Sequence, residues 1–303
     1  LLIGGTEESA RLNNIMVAIK LTVVVAFVGL GAFYVNAANW RPFIPANTGD
    51  FGSFGFSGIL RGASIVFFAY IGFDAVSNCA QEARRPQRDM PIGILGSLGL
   101  STVLYVLVAG VLTGLVPYAE LNVPDPVAKG VRVMGHEWFS LFIELGALIG
   151  LTTVILVLLY GQSRIFATMA SDGLLPPVVG RLHPRLRTPW ISQIVIGIVV
   201  AGVAAVVPLD ILDEMVGVGT LFAFILVCVA VIYLRTIEPH THRPFRVPHV
   251  PWVPLLGILS CLGLMAGMTP ATWLRLAVWL VIGLAVYFGY SRFHSRLLNR
   301  LSS

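Results

Sequence analysis

The 303-residue sequence predicts an all-α polytopic membrane protein with eight transmembrane helices. Three observations carry that prediction. First, hydrophobic residues make up 56% of the chain and charged residues only 12%, against about 25% charged in an ordinary soluble domain. Mean hydropathy is +0.85. A soluble core cannot absorb that much apolar surface, so lipid is the main solvent. Second, eight apolar stretches lie near or above the ~20 residues that cross a ~30 Å hydrocarbon layer. They fall at about 15–38, 58–81, 93–116, 139–162, 191–208, 214–235, 252–269 and 272–290. Third, the basic residues cluster in short loops on one side. With the segment before the first span inside and the spans alternating, 14 basic residues lie inside. Five lie outside (Arg41, Arg61, Lys129, Arg132 and Arg275), and Lys20 sits within a span. That asymmetry predicts both chain ends in the cytoplasm. The pI of 9.4 therefore reflects topology, and no nucleic-acid face is expected.

The chain opens "LLIGGTEESARLN", with no methionine before Met16 and no basic n-region of a signal peptide. It reads as the tail of one span and a short loop, cut from something longer. The first span, "NNIMVAIKLTVVVAF", carries Lys20 five positions into an apolar run. Two readings stand side by side. The lysine lies ~7.5 Å from the cytoplasmic start of the span at 1.5 Å per residue, and its stem is long enough to carry the ammonium towards water. Alternatively it is functional, since a charge at membrane depth costs about 2.5–3.5 kcal/mol on insertion scales. The outer loop 36–58 is rich in Gly, Pro and aromatics, and Trp40, Phe43 and Phe51 suit the water–lipid boundary.

The second span contains "VFFAYIGFDAVSNCAQE". Gly72 stands between bulky residues at mid-span and is followed by Asp74, Ser77 and Asn78. Glycine weakens a helix by about 1 kcal/mol relative to alanine, and an unwound turn at that depth is tolerated only where it lines a protein cavity. One reading is a continuous helix with Gly72 at a packing contact. The other is a helix broken between about Tyr70 and Phe73, whose freed backbone groups bind a zwitterion.

Further along, Gly110/Gly114, Gly146/Gly150 and Gly263/Gly267 have the spacing of close helix–helix seams. The loop 117–138 is expected to hold a short surface helix. Glu144, near the outer end of its span, reads as structural. In the inner loop 163–190 a helix is expected to run to Asp172, with Gly173 as its stop and Pro176–Pro177 preventing continuation. His240, His242 and His249 in the connector 235–252 lack an acidic or cysteine partner and read as solvated. Cys79, Cys228 and Cys261 lie on three different segments, with neither disulfide nor metal-ligand spacing.

Five stretches in order, "NNIMVAIK", "NWRPFIP", "FFAYIGFDAV", "EARRPQRDMPIGI" and "SRIFATMASDGLLP", resemble the bacterial cationic-amino-acid-transporter-type permeases of the amino acid–polyamine–organocation (APC) superfamily. The resemblance covers essentially the whole chain. It implies a LeuT-type fold, of which the eight spans here resemble helices five to twelve, with the first four helices missing from an N-terminally truncated chain. On this alignment residues 1–303 form one transporter domain: 15–38 is the last helix of the first repeat, 58–235 the second inverted repeat, and 252–290 two accessory helices. The resemblance assigns Phe68, Ala69, Tyr70, Ile71 and Gly72 to the broken helix. Backbone carbonyls there accept the substrate ammonium, and Phe68 closes over the bound amino acid. It also places Lys20 where sodium sits in sodium-coupled relatives, with Thr152 and Thr153 as candidate partners and the proton as coupling ion.

The implied function is secondary active transport of amino acids across the bacterial inner membrane by alternating access, without a cofactor. The substrate side chain, cationic or small and neutral, is left open, as is the oligomeric state. A sodium-coupled transporter or exchanger of the same fold and a non-transporting membrane fragment or subunit are the alternatives. An intramembrane enzyme is disfavoured: an aspartyl protease needs two membrane aspartates where only Asp74 is available, and no H-E-x-x-H pair occurs.

Overall fold

A computed structural model of the chain describes residues 6–74, 77, 85–135, 137–181, 190–241, 243 and 245–295. Among these, all regular structure is helical. The principal helices are α1 (Thr6–Gly31), α2 (Gly55–Tyr70), α3 (Pro86–Leu115), α4 (Pro126–Val133), α5 (Glu137–Ser171), α6 (Trp190–Val206), α7 (Leu209–Ile237), α8 (Trp252–Ala266) and α9 (Pro270–Val286). A π-helical turn, Tyr287–Ser291, continues α9.

Five stretches are long and apolar enough to cross a membrane: Asn13–Tyr34, Pro86–Leu115, Trp138–Ser171, Ile211–Ile237 and Pro270–His294. The remaining three apolar helices, α2, α6 and α8, have 16, 17 and 15 residues. At 1.5 Å per residue these reach only ~22–26 Å. The expectation of eight full-length spans is therefore met by five helices, and the other three are shorter than drawn. The causes are local. α2 stops at the Ile71–Gly72 turn. α6 ends before Pro208, which disfavours helical backbone at Val207. α8 ends at Gly267, just ahead of Pro270.

α3 starts ahead of its expected first residue, whereas α5 ends where Gly173 was expected to stop it. α3 begins at Pro86, whose missing N–H costs nothing at the first helical position. α5 extends to Ser171 and closes on Gly173 (φ +81°). There the Leu174 N–H donates to the Met169 carbonyl (2.8 Å) and the Gly173 N–H to that of Ala170 (3.2 Å), a Schellman closure.

Two apolar clusters hold the helices together. Val23 and Phe27 of α1 pack with Val111 and Leu115 of α3, Val131 of α4, and Phe139 and Ile143 of α5. Val131 is fully buried, so α4 is part of this core rather than a surface decoration. The second cluster joins Val218 and Leu221 of α7 to Met265 of α8 and Leu276 of α9, with Phe67 of α2 against it.

The glycine seams are only partly as expected. A Cβ on Gly146 would lie 2.9 Å from Val23, one on Gly114 2.7 Å from Val35, and one on Gly267 2.3 Å from the Ser64 hydroxyl. Gly110 and Gly263 face open space. Four-residue spacing marks one helix face, and only a neighbour at that height turns it into a contact.

Candidate functional site

The last turn of α2 ends at Tyr70, and Ile71 follows in extended conformation (φ −61°, ψ 134°). Gly72 has φ +121°, a region that costs a side chain dear and glycine nothing. The turn is tied off locally. The Ile71 N–H donates to the Phe68 carbonyl (3.1 Å) and the Gly72 N–H to Asp74 Oδ1 (3.1 Å). The Tyr105 hydroxyl of α3 donates to the Ala69 carbonyl (2.7 Å), with its ring edge-to-face on Tyr70 at 5.1 Å. Phe73 lies 5.6 Å from the Phe224 ring of α7. The helix interruption thus falls where the sequence puts it. Among the described residues, nothing donates to the carbonyls of Tyr70, Ile71 or Gly72. Ser77 reaches back to the Asp74 carbonyl (2.6 Å). Asn78 and Cys79 lie outside the described residues, as do Arg84, Arg185, Arg187 and His242.

Lys20 of α1 and the Ile71–Gly72 turn line one open cavity of about 170 Å³, together with Asn13, Val17 and, from α5, Thr153, Val154, Val157 and Leu158. A Cβ at Gly72 would meet nothing within 4 Å, so only the backbone conformation reserves that position for glycine. Gly150 faces the lysine stem: a Cβ there would sit 3.9 Å from Lys20 Cδ, an ordinary van der Waals contact. Thr153 is buried, with its hydroxyl donating to the Gly150 carbonyl (2.6 Å). Thr152 is exposed and bonded to the Leu148 carbonyl, so of the two candidate partners only Thr153 shares the cavity. Among the described residues no carboxylate lies within ion-pair distance of Lys20. Phe68, Ala69 and Tyr70 are outside this cavity, and Phe68 is 40% exposed.

Sequence reasoning did not single out Asn13. Its side-chain oxygen is shielded from solvent and has no hydrogen-bond partner among the described residues, a costly state for a polar atom. The available signal was spacing: residues 13, 17 and 20 share one helix face. A second polar group also escaped notice, around Arg61 of α2 and Asp213 and Glu214 of α7. Glu144 is exposed, 3.6 Å from Arg132, which also pairs with Asp125 (2.8 Å). Among the described residues no three His, Cys, Asp or Glu side chains are grouped to hold a metal ion.

Comparison with known proteins adds an independent line. A family model described as amino acid permease matches residues 1–289. The chain is 44% identical over 98% of its length to the methylthioribose transporter of Bacillus subtilis. It is 45% identical over 97% of its length to the branched-chain amino acid permease BcaP of the same organism. It is also 40% identical over 87% of its length to the chloroplastic cationic amino acid transporter 9 of Arabidopsis thaliana. The chain spans 62%, 62% and 46% of the lengths of these relatives. Their names are those of transporters, not enzymes.

Proposed function

This multi-pass membrane protein belongs to the amino acid permease family, and from that premise we propose that it is a proton-coupled amino acid transporter working by alternating access. In this reading the eight helices form a LeuT-type arrangement in the bacterial inner membrane, the short ones crossing as parts of interrupted spans or where the bilayer thins around them. One observation carries the proposal: Lys20 and the Ile71–Gly72 turn, from two separate helices, line a single cavity.

The chemistry follows from that placement. The carbonyls of the turn, to which nothing donates among the described residues, accept a substrate ammonium, and the positive φ of Gly72 keeps that backbone accessible. Phe68, Ala69 and Tyr70 build the helix end that aims these carbonyls. Lys20 is a fixed cation beside the turn; its protonated form holds one packing of α1 against α5 and its neutral form releases it, which couples a proton to the cycle. The cavity lining contains one cation and no carboxylate, which favours a neutral substrate side chain over a cationic one.

The test is uptake into proteoliposomes under an inward pH gradient. Wild-type protein is expected to take up L-leucine in preference to L-arginine, without dependence on sodium. Lys20→Met is expected to bind leucine yet lose uptake driven by the gradient. Gly72→Leu is expected to lose binding, because the side chain is forced into a strained conformation and enters the space of the ligand. Undiminished pH-driven uptake by Lys20→Met would return the lysine to a snorkelling role. The kinship with a methylthioribose transporter favours one second reading, a neutral thiosugar substrate. Uptake of methylthioribose but not leucine would establish it.

A further inference from the structure

α7 and α9 are joined near their starts, where Glu214 accepts from Thr269 and Thr272. Beside that joint a groove of about 330 Å³ opens between the two helices. Its walls include Leu212, Met215 and Gly219 of α7 and Arg275, Leu276 and Trp279 of α9. From Leu212 to Thr220 it follows α7 for eight residues, or roughly 12 Å. Both helices are among those long and apolar enough to cross a membrane, so the groove runs within the bilayer. Trp279, at its lip, is 66% exposed and faces the lipid.

Arg275 is the one charged group in this lining. It lies five residues into α9, roughly 7.5 Å from the start of the helix. A guanidinium has five N–H donors. Among the described residues that of Arg275 makes no hydrogen bond, and its only ion-pair contact is Glu214 Oε2 at 3.7 Å. The same oxygen already accepts from Thr269 (2.9 Å) and from Thr272, so the carboxylate is satisfied without the arginine. The Arg275 side chain is 32% exposed, and its stem is long enough to lift the charge towards headgroup level. Unfilled donors at that depth call for an anion with several acceptor oxygens. Apart from Arg275 and Thr220 the groove is apolar and calls for hydrocarbon. A free anion would leave the groove empty, and a hydrocarbon alone would leave the guanidinium unfilled. One amphiphile satisfies both.

We propose that the groove between α7 and α9 binds a bilayer phospholipid, with its phosphodiester on the Arg275 guanidinium and one acyl chain laid along α7. Phosphate oxygens match the guanidinium fork in two-point contact. The site depends only on the chain spanning a membrane and shares no residue with the Lys20 cavity.

The test is native mass spectrometry of the delipidated full chain in detergent, titrated with phosphatidylglycerol that carries a photoactivatable diazirine in one acyl chain. One saturable equivalent is expected, with crosslinks on residues 212–220 and 275–279. Arg275→Met keeps the stem and removes the donors, and should weaken that equivalent at least tenfold. A side chain at Gly219 meets nothing within 4 Å, so Gly219→Leu fills the groove without touching charge. It should cause a similar loss, and it decides the matter if Arg275→Met fails to fold. Diacylglycerol with the same chains should bind at least tenfold more weakly than phosphatidylglycerol and be indifferent to Arg275→Met. Glycerol 3-phosphate, a headgroup without a tail, should not compete. Undiminished binding in both variants would overturn the proposal, as would crosslinks confined to other helices. Diacylglycerol binding as tightly as phosphatidylglycerol would reduce the site to a hydrocarbon groove, and effective competition by glycerol 3-phosphate would reduce it to an anion site; either overturns it. Wild-type dimers that Gly219→Leu converts to monomers would assign the groove to a second copy of the chain and overturn it too.

Discussion

At the scale of single residues, glycine does two different jobs here. Gly72 is required by its backbone, and Gly267 permits contact between α2 and α8. The latter gives the sharpest stability prediction. A methyl group at Gly267 would lie 2.3 Å from the Ser64 hydroxyl and 3.1 Å from the Leu60 carbonyl. Ser64 is buried, and its hydroxyl lies 2.6 Å from the Leu264 carbonyl of α8, so it cannot simply swing away. Gly267→Ala should destabilise the protein by about 1–3 kcal/mol, the usual cost of overpacking a tight contact. Thermal unfolding in detergent checks this, with Gly263→Ala, which meets nothing, as the neutral control. Lys20 and Gly72 were legible in the sequence because each contradicts its surroundings: an ammonium in an apolar run, and a glycine among bulky residues. Asn13 was not, since a polar residue near a span end looks like ordinary topology until the structure shows its oxygen buried.

At the scale of elements, the interruption in α2 depends on a neighbour as well as on its own residues. Tyr105 of α3 spans the gap, its hydroxyl on the Ala69 carbonyl and its ring against Tyr70. Tyr105→Phe keeps the ring contact and removes the hydrogen bond. It should cost ~0.5–1.5 kcal/mol and, more tellingly, speed amide hydrogen exchange in the last turn of α2 and at Ile71–Gly72 while leaving α7 unchanged. Uniformly faster exchange across the molecule would mean that Tyr105 supports the fold at large rather than this turn. Helix existence was readable because lipid demands apolar length. Helix ends were legible where a stop signal stood, as at Gly173 after α5, and harder where hydropathy was the only guide: α3 starts at Pro86, in polar sequence ahead of its apolar stretch. The placement of Arg61 across a cavity from α7 was beyond reach, because nothing local to either segment reveals which distant helix it faces.

At the scale of the whole molecule, the helix contacts bear on topology independently of the charge count. Gly146 and Gly150 in the first half of α5 meet Val23 and Lys20 of α1, whereas Leu158 shares a cavity with Asn13, so α1 and α5 run antiparallel. Val111 near the end of α3 meets Gly31 at the end of α1, so those two run parallel. Ser64 near the start of α2 bonds Leu264 near the end of α8, an antiparallel pair. Glu214 at the start of α7 bonds Thr269 and Thr272 at the start of α9, a parallel one. Each relation is what strict alternation of eight spans requires. The Ser291 hydroxyl, beyond α9, also donates to the Leu174 carbonyl just beyond α5 (2.8 Å), which sets the end of α9 beside the end of α5. The charge count then gives the orientation to be tested: the segment after α5 belongs to the side with 14 basic residues, expected to be cytoplasmic, and the loop after α1 to the side with five. Two positions test this. Phe43 is 86% exposed in the loop after α1, and Val178 is 49% exposed in the segment after α5. In a chain with Cys79, Cys228 and Cys261 replaced by serine, an impermeant maleimide added to intact cells should label Phe43→Cys and spare Val178→Cys until the membrane is opened. The reverse pattern would invert the orientation while keeping the alternation. Labelling of both from outside would put the two loops on one face and break the alternation itself, taking with it the shared face of the chain ends.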